Sequence, residues 1–291
     1  MKKRIPAILL IILLCWISCD KIEPPYIEAG NQSAEKTILI EKFTGHKCSN
    51  CPEASRKVDE LKDFYKDNLI SIAIHPGALT EFTGIDENYP YDFTTNASDL
   101  IATDMGASFL PLGTVNRVAG GISNRCFTKD EWAQEIDNLL YDDDGNPLEK
   151  NIDFSINTSL NELNKELTIQ TNIILLNNLE TNYNLCLVII EDGIISPQDD
   201  GSETIQDYEH NDIYRSAVNG AYGENITKFA FVSLEGQSGY QATHTLIFNE
   251  DANVNWTNDW NNINNCAVLA YVYNTETLVI EHVQKHHIIH E

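Results

Sequence analysis

From Thr37 to Phe43 the chain reads Thr-Ile-Leu-Ile-Glu-Lys-Phe, apolar and β-rich with no helical period, and Thr44-Gly45 then leads to Cys48. A strand therefore delivers the chain to a pair of cysteines. After Cys51, residues Ala54, Val58, Leu61 and Tyr65 recur at helical spacing among charged neighbours, which predicts an amphipathic helix of about four turns. Leu69 to His75 is apolar enough to be buried on both faces, so strand, helix and strand form a βαβ unit. Pro76 to Thr95 is a loop rich in Gly, Pro and aromatics, long enough to suggest a functional insertion. A helix over Asn96 to Met105 ends at Gly106, and a strand follows over Thr114 to Val118. After a Gly120-Gly121 turn, a capping box of Thr128 and Glu131 opens a helix carrying Trp132, Ile136, Leu139 and Leu140 on one face.

The run Asp142-Asp-Asp-Gly-Asn-Pro147 interrupts both periodicities and predicts a domain boundary. Beyond it the texture changes. Ile152 to Ser159, Leu167 to Leu176, Tyr183 to Ile190, Phe229 to Leu234, Ala242 to Phe248, Ala267 to Tyr273 and a last run near Leu278 to Val283 read as strands. No long helix separates them, which predicts an antiparallel β-sandwich, and Ser196 to Gly223 reads as a loop between strands. The expected plan is an α/β domain over residues 37–145 followed by an all-β antiparallel sandwich over 146–291.

The N-terminus changes the picture again. Lys2, Lys3 and Arg4 precede an apolar run from Ile5 to Ile17, too short for the ~20 residues that span a bilayer. Ser18-Cys19 then gives the pattern of a bacterial lipoprotein signal. Residues 1–18 are expected to be removed and Cys19 lipidated, with 19–36 as a polar tether; Trp16 stands where such signals usually carry Leu. The chain of 291 residues carries 19 Lys and Arg against 44 Asp and Glu, a net charge of −25. Such a surface repels phosphate backbones, so nucleic acid is excluded as a partner. The expected partners are the membrane, through the lipid, and a protein or disulfide substrate that the sequence does not identify.

Export implies an oxidising compartment, and Cys48, Cys51, Cys126, Cys186 and Cys266 lie beyond the signal. Cys48-Ser-Asn-Cys51, placed between a strand and a helix, points to a thioredoxin-like redox site. Pro52 fits the first turn, whose N–H groups have no helical partner. Helix-dipole charge, His46 and Lys47 favour a thiolate at Cys48, which makes Cys48 the nucleophile and Cys51 the resolving thiol. Pro111, before the third strand, stands where such sites carry a proline opposite the cysteines. The competing readings are a structural disulfide, or zinc with His46 or His75. No second C-x-x-C or paired-His motif supports metal, so neither metal nor cofactor is expected. Cys186 and Cys266 either bridge the two sheets of the sandwich or stay as buried free thiols. His282, His286, His287 and His290 read as polar positions on and after an exposed final strand. Tyr208, His210 and Arg215 are candidate partner contacts in the 196–223 loop, unless that loop packs on the neighbouring domain.

Several blocks together resemble a family. Ile40-Glu-Lys-Phe-Thr-Gly-His-Lys-Cys-Ser-Asn-Cys-Pro-Glu-Ala54, Ile74-His-Pro-Gly77, Pro111-Leu-Gly-Thr-Val-Asn-Arg117, Glu191-Asp-Gly-Ile-Ile195 with Gln198, and Tyr208-Glu-His-Asn-Asp-Ile-Tyr-Arg215 are similar to the Omp28-related outer-membrane proteins of the Bacteroidetes. The resemblance covers nearly the whole mature chain. It implies an outer-membrane lipoprotein with a thioredoxin-like domain followed by a β-sandwich, facing the periplasm or the cell surface. Lys47 and Leu110 depart from redox-active thioredoxins, which carry Trp before the first Cys. Two functions follow: thiol-disulfide exchange at Cys48 and Cys51, or a non-catalytic surface binding or adhesion protein with a structural disulfide.

Overall fold

A computed structural model describes residues 36–177, 182–234, 236–248 and 260–288. The expected signal segment 1–18, the lipidation site Cys19, nearly all of the tether and His290 lie outside the described residues. Among those described, fourteen strands stand against four α-helices. The N-terminal strands are β1 (Ile38–Phe43), β2 (Leu69–Ile74) and β3 (Leu112–Val115). The helices are α1 (Cys51–Tyr65), α2 (Thr80–Thr83), α3 (Asn96–Met105) and α4 (Trp132–Leu140). After them come β4 (Ile152–Asn161), β5 (Glu166–Leu175), β6 (Tyr183–Glu191), β7 (Ile194–Asp200), β8 (Glu203–His210), β9 (Ile213–Ala217) and β10 (Glu224–Asn225). The last are β11 (Ala230–Leu234), β12 (Gln237–Ile247), β13 (Cys266–Asn274) and β14 (Ile280–His287).

The expected architecture, a thioredoxin-like α/β unit followed by a separate sandwich, is corrected by the sheet topology. One mixed eight-stranded sheet runs β14-β13-β6-β9-β2-β1-β3, with β10 beside β6, and so draws strands from both halves of the chain. Parallel β2 and β1 lie toward its β3 edge, and β9, in the middle, joins β2 in parallel at Ala73 and Ile213 while pairing antiparallel with β6. The physical reason lies in β2. Its residues are apolar on both faces, so an open edge there would leave buried backbone groups unpaired, and β9 closes it.

Three packed clusters cover this sheet. Ile38 and Ile40 of β1 meet Ala54, Val58 and Leu61 of α1 and Trp132, Ile136 and Leu140 of α4 on one face. On the opposite face Leu39, Phe43, Ile72 and Ile74 meet Ile101 and Met105 of α3, and the cluster continues through Val188, Tyr214 and Leu269 from the second half. A second, four-stranded sheet, β11-β12-β5-β4, stacks its Ile169, Ile173 and Phe154 on Leu187, Val268 and Ala270. Inside the main sheet, Glu41 of β1 accepts from Arg117 (Nε–Oε2 2.8 Å), whose guanidinium also donates to the Tyr271 hydroxyl of β13. That triad fastens the two halves through fully buried groups.

Local signals placed α1, α3 and α4, whereas α2 lies within the 76–95 segment read as loop. Thr95 and Ser98 form a reciprocal capping box ahead of α3, and Gly106 ends that helix at φ 82°. The Thr128–Glu131 contact exists, but α4 opens only after it, at Trp132, four residues beyond Thr128. The 196–223 segment is no loop: most of it is β7, β8 and β9.

Candidate functional site

The site begins where β1 ends. Thr44 N–H donates to the Ile74 carbonyl at the end of β2, and the chain then turns through Gly45 to Asn50, closed by Cys48 N–H to Gly45 O and Cys51 N–H to Cys48 O. Gly45 has no room for a side chain, since a Cβ there would lie 2.6 Å from the Phe82 carbonyl oxygen. Cys48 and Cys51 lie at disulfide distance with Cα atoms 5.4 Å apart. Only Cys51 belongs to the helix; Cys48 lies in the turn before it, and Pro52 occupies the first helical turn. The Leu110–Pro111 peptide bond is cis, and Leu110 packs in the same cluster as both cysteines.

The bridge is enclosed. Cys48 is 2 % exposed and Cys51 1 %. The β7–β8 hairpin lies across the turn like a strap: Asp199 N–H donates to His46 O and Gly201 N–H to Ser49 O, both at 2.8 Å. Buried Gln198 donates its amide to the carbonyls of Gly45 (3.2 Å) and Cys48 (3.3 Å). Arg56 of α1 pairs with Asp200, and the Tyr89 hydroxyl donates to Asp199. The 76–95 segment, read from sequence as an insertion, supplies the other wall, with Lys47 N–H donating to Phe82 O.

Groups expected to activate Cys48 are engaged elsewhere. His46 is fully buried, its Nε2 within 3.1 Å of the Gly84 carbonyl, and its ring stacks on Tyr89 at 5.2 Å. Burial holds its pKa below the ordinary histidine value. Lys47 pairs with Asp86 at 2.7 Å.

The candidate partner contacts need correction. His210 and Arg215 are buried, and Tyr208 is half-buried. His210 sits against Phe93 at 4.6 Å and Tyr208 at 4.8 Å, and burial pushes its pKa down to about 4. Arg215 pairs with Glu191 at 3.0 Å, and its guanidinium lies 5.4 Å from the Tyr91 ring centre. An Arg inside a sheet needs such a carboxylate, because an unpaired buried charge costs several kcal/mol. His210 and Arg215 thus pack inside the strap and β9, while Tyr208 stays partly exposed.

Cys186 and Cys266 are free and buried, so the bridge considered for them does not form. They lie on adjacent strands, but Cys186 is opposite Tyr271, five residues along β13 from Cys266. An odd offset puts them on opposite faces of one sheet. Cys186 accordingly belongs to the cluster under α3, and Cys266 to the one between the sheets. His282 is likewise buried rather than exposed, 3.8 Å from Asp153. Among the described residues, no three His, Cys, Asp or Glu side chains come together as a metal site.

Sequence reasoning missed a cavity of about 70 Å³ between α1, β2 and β8, bordered by Lys42, Ser55, Ser71, His75, Gln198 and His210. Lys42 is the one signal that pointed to it, a lysine beside Glu41 within an apolar strand run.

Taken together, a mixed β-rich sheet with a second sheet stacked on one end, and a disulfide buried under a hairpin, define the class. The chain belongs to the Omp28 family: residues 99–291 match the family described as outer membrane protein Omp28, a match that starts after the cysteine pair. Its place is therefore the outer membrane. The fold is similar to that of HBP35 of Porphyromonas gingivalis, at TM-score 0.63 and 14 % identity, covering 88 % of this chain and 76 % of that one. A domain of the outer membrane lipoprotein Omp28 from Porphyromonas gingivalis matches at 16 % identity over 49 % of this chain and 91 % of that one, with TM-score 0.32. Protein AGR_C_4864 from Agrobacterium tumefaciens matches at 11 % identity and TM-score 0.47, covering 88 % and 96 %. No curated protein matches the chain. Among the described residues no helix is long and apolar enough to cross a membrane.

Proposed function

We infer that this protein is a lipid-anchored outer-membrane binding protein in which Cys48–Cys51 is a structural staple rather than an exchange site. The observation that carries this reading is the enclosure of Cys48, 2 % exposed beneath a hairpin hydrogen-bonded to its turn. A thiolate that attacks a substrate disulfide needs both access and an electropositive, partly wet surrounding. Burial in an apolar cluster supplies neither.

The expected reduction potential lies below about −300 mV, the range of structural bridges. Cys51→Ser should trap no mixed disulfide in cells, and the double variant Cys48→Ser, Cys51→Ser should lose about 2 kcal/mol of stability with the fold intact. A potential well above that range, with trapped partners on Cys48, would establish thiol-disulfide exchange instead. The anchor is tested separately. Cys19→Ser should move the protein from the membrane to the soluble fraction, since acyl chains at ~0.8 kcal/mol per buried CH₂ are what hold it there. Unchanged membrane association refutes acylation at Cys19.

A further inference from the structure

The cavity behind the strap lies on the α1 face of the sheet, where Lys42 of β1, Ser71 of β2 and His75 point between the strands and the helix. Lys42 is 8 % exposed, and its ammonium donates to Ser55 Oγ at 2.6 Å. His75 is 1 % exposed, and neither ring nitrogen has a hydrogen-bond partner among the described residues. A buried imidazole always presents one donor and one acceptor when neutral, and leaving both unpaired is costly. Its ring is held at 4.6 Å on Phe93, so it cannot swing away to find partners. The wall is thus built to be completed from inside the cavity.

Charge sorts the cavity from floor to mouth. Asp212 is already occupied by Lys62, Lys285 and Ser71. Asp59 on α1 and Glu209 on β8 are exposed at the rim, and Asp59 forms no ion pair among the described residues. A cationic floor under an anionic rim fits a molecule carrying both charges. A plain anion would meet the rim carboxylates, and a plain cation would meet Lys42. The volume admits about five water positions at roughly 10–15 Å³ each, the room a very small organic molecule needs.

The geometry points to a binding site for a small zwitterion of the amino-acid type, its carboxylate on Lys42 and His75 and its ammonium between Asp59 and Glu209. Burial pushes the Lys42 pKa down to about 8, and an oxyanion beside it would raise it again. The site goes beyond the staple reading and stands whether or not the cysteines exchange, because no cysteine borders the cavity.

The test is titration of the full chain in detergent, with imidazole-¹⁵N histidine, using glycine, acetate and methylammonium as separate probes. Glycine should shift the His75 ring signals saturably with a millimolar Kd, acetate should bind at least about tenfold more weakly, and methylammonium should not bind. Asp59→Asn, on the exposed face of α1, should weaken glycine and not acetate; Lys42→Met should weaken both. If Lys42→Met does not fold, Asp59→Asn and the three-probe comparison decide alone. Absence of a saturable glycine shift shows a cavity that holds only water and overturns the proposal. Equal binding of glycine and acetate shows a simple anion site and overturns it as well.

Discussion

At the scale of single residues, three buried histidines surround the strap, and burial is the largest influence on each. It holds His46 below its ordinary value, His75 well below, and His210 down to about 4, while nearby Lys42, Lys47 and Arg215 disfavour a second positive charge. Between the ordinary histidine value of about 6.5 and the folded values, the unfolded chain binds more protons than the folded one. Stability from these groups is therefore full above about pH 7 and is lost as pH falls through that window. His210→Phe keeps the ring contact with Phe93 and removes one of the three protons. The urea midpoint of wild type should drop more than that of His210→Phe between pH 7.5 and 5, and equal drops would show that His210 plays no part. The carboxylates, common to both proteins, cancel in the comparison.

At the scale of elements, the β7–β8 hairpin is tied to the cysteine turn mainly through backbone groups and one side chain, Gln198. Gln198→Ala removes the amide that serves the Gly45 and Cys48 carbonyls; each carbonyl keeps its hydrogen bond within the turn, so the loss is about 0.5–1.5 kcal/mol per bond removed. The expected outcome is faster reduction of the Cys48–Cys51 bridge at a fixed reductant concentration, with little change in far-UV circular dichroism. An unchanged reduction rate would mean that the strap does not guard the bridge. The hairpin is also where pattern reading failed. Glu203 to Asp207 of β8 are exposed on both faces, so they carry no alternation, and Gly193, Gly201, Gly220 and Gly223 punctuate the segment as loops do. Glu191-Asp-Gly-Ile-Ile195 with Gln198 and Tyr208-Glu-His-Asn-Asp-Ile-Tyr-Arg215 stood out, legible as blocks without their roles being legible. By contrast α1 was readable from its buried helical period, α3 from its closing glycine, and β1 from its continuous buried run.

For the molecule as a whole, the exposed Asp142–Pro147 turn separates two halves in sequence that share one sheet and one core in space. β2 pairs with β9, and Glu41–Arg117–Tyr271 crosses between the halves. Cleavage at a protease site built into 142–147 should therefore leave two fragments that co-elute under native conditions and part only in denaturant. Two fragments that elute apart, each with a cooperative melt, would instead support independent domains.

What the sequence alone determined were the properties that arise within one stretch of chain: the strands and helices other than α2 and β7 to β10, the cysteine turn between β1 and α1, the acidic surface, and the family through its blocks. Tertiary structure decided which strands become neighbours. A strand's own residues specify an apolar face and a hydrogen-bonding edge but not which distant edge will complete it, and here β9 completed β2. The same choice brought Gln198 over Cys48, turned His210 and Arg215 inward, and set Cys186 and Cys266 on opposite faces. Lys42, His75 and Asp59 are tens of residues or a whole helix apart in sequence, so their shared cavity exists only after the sheet has formed around them.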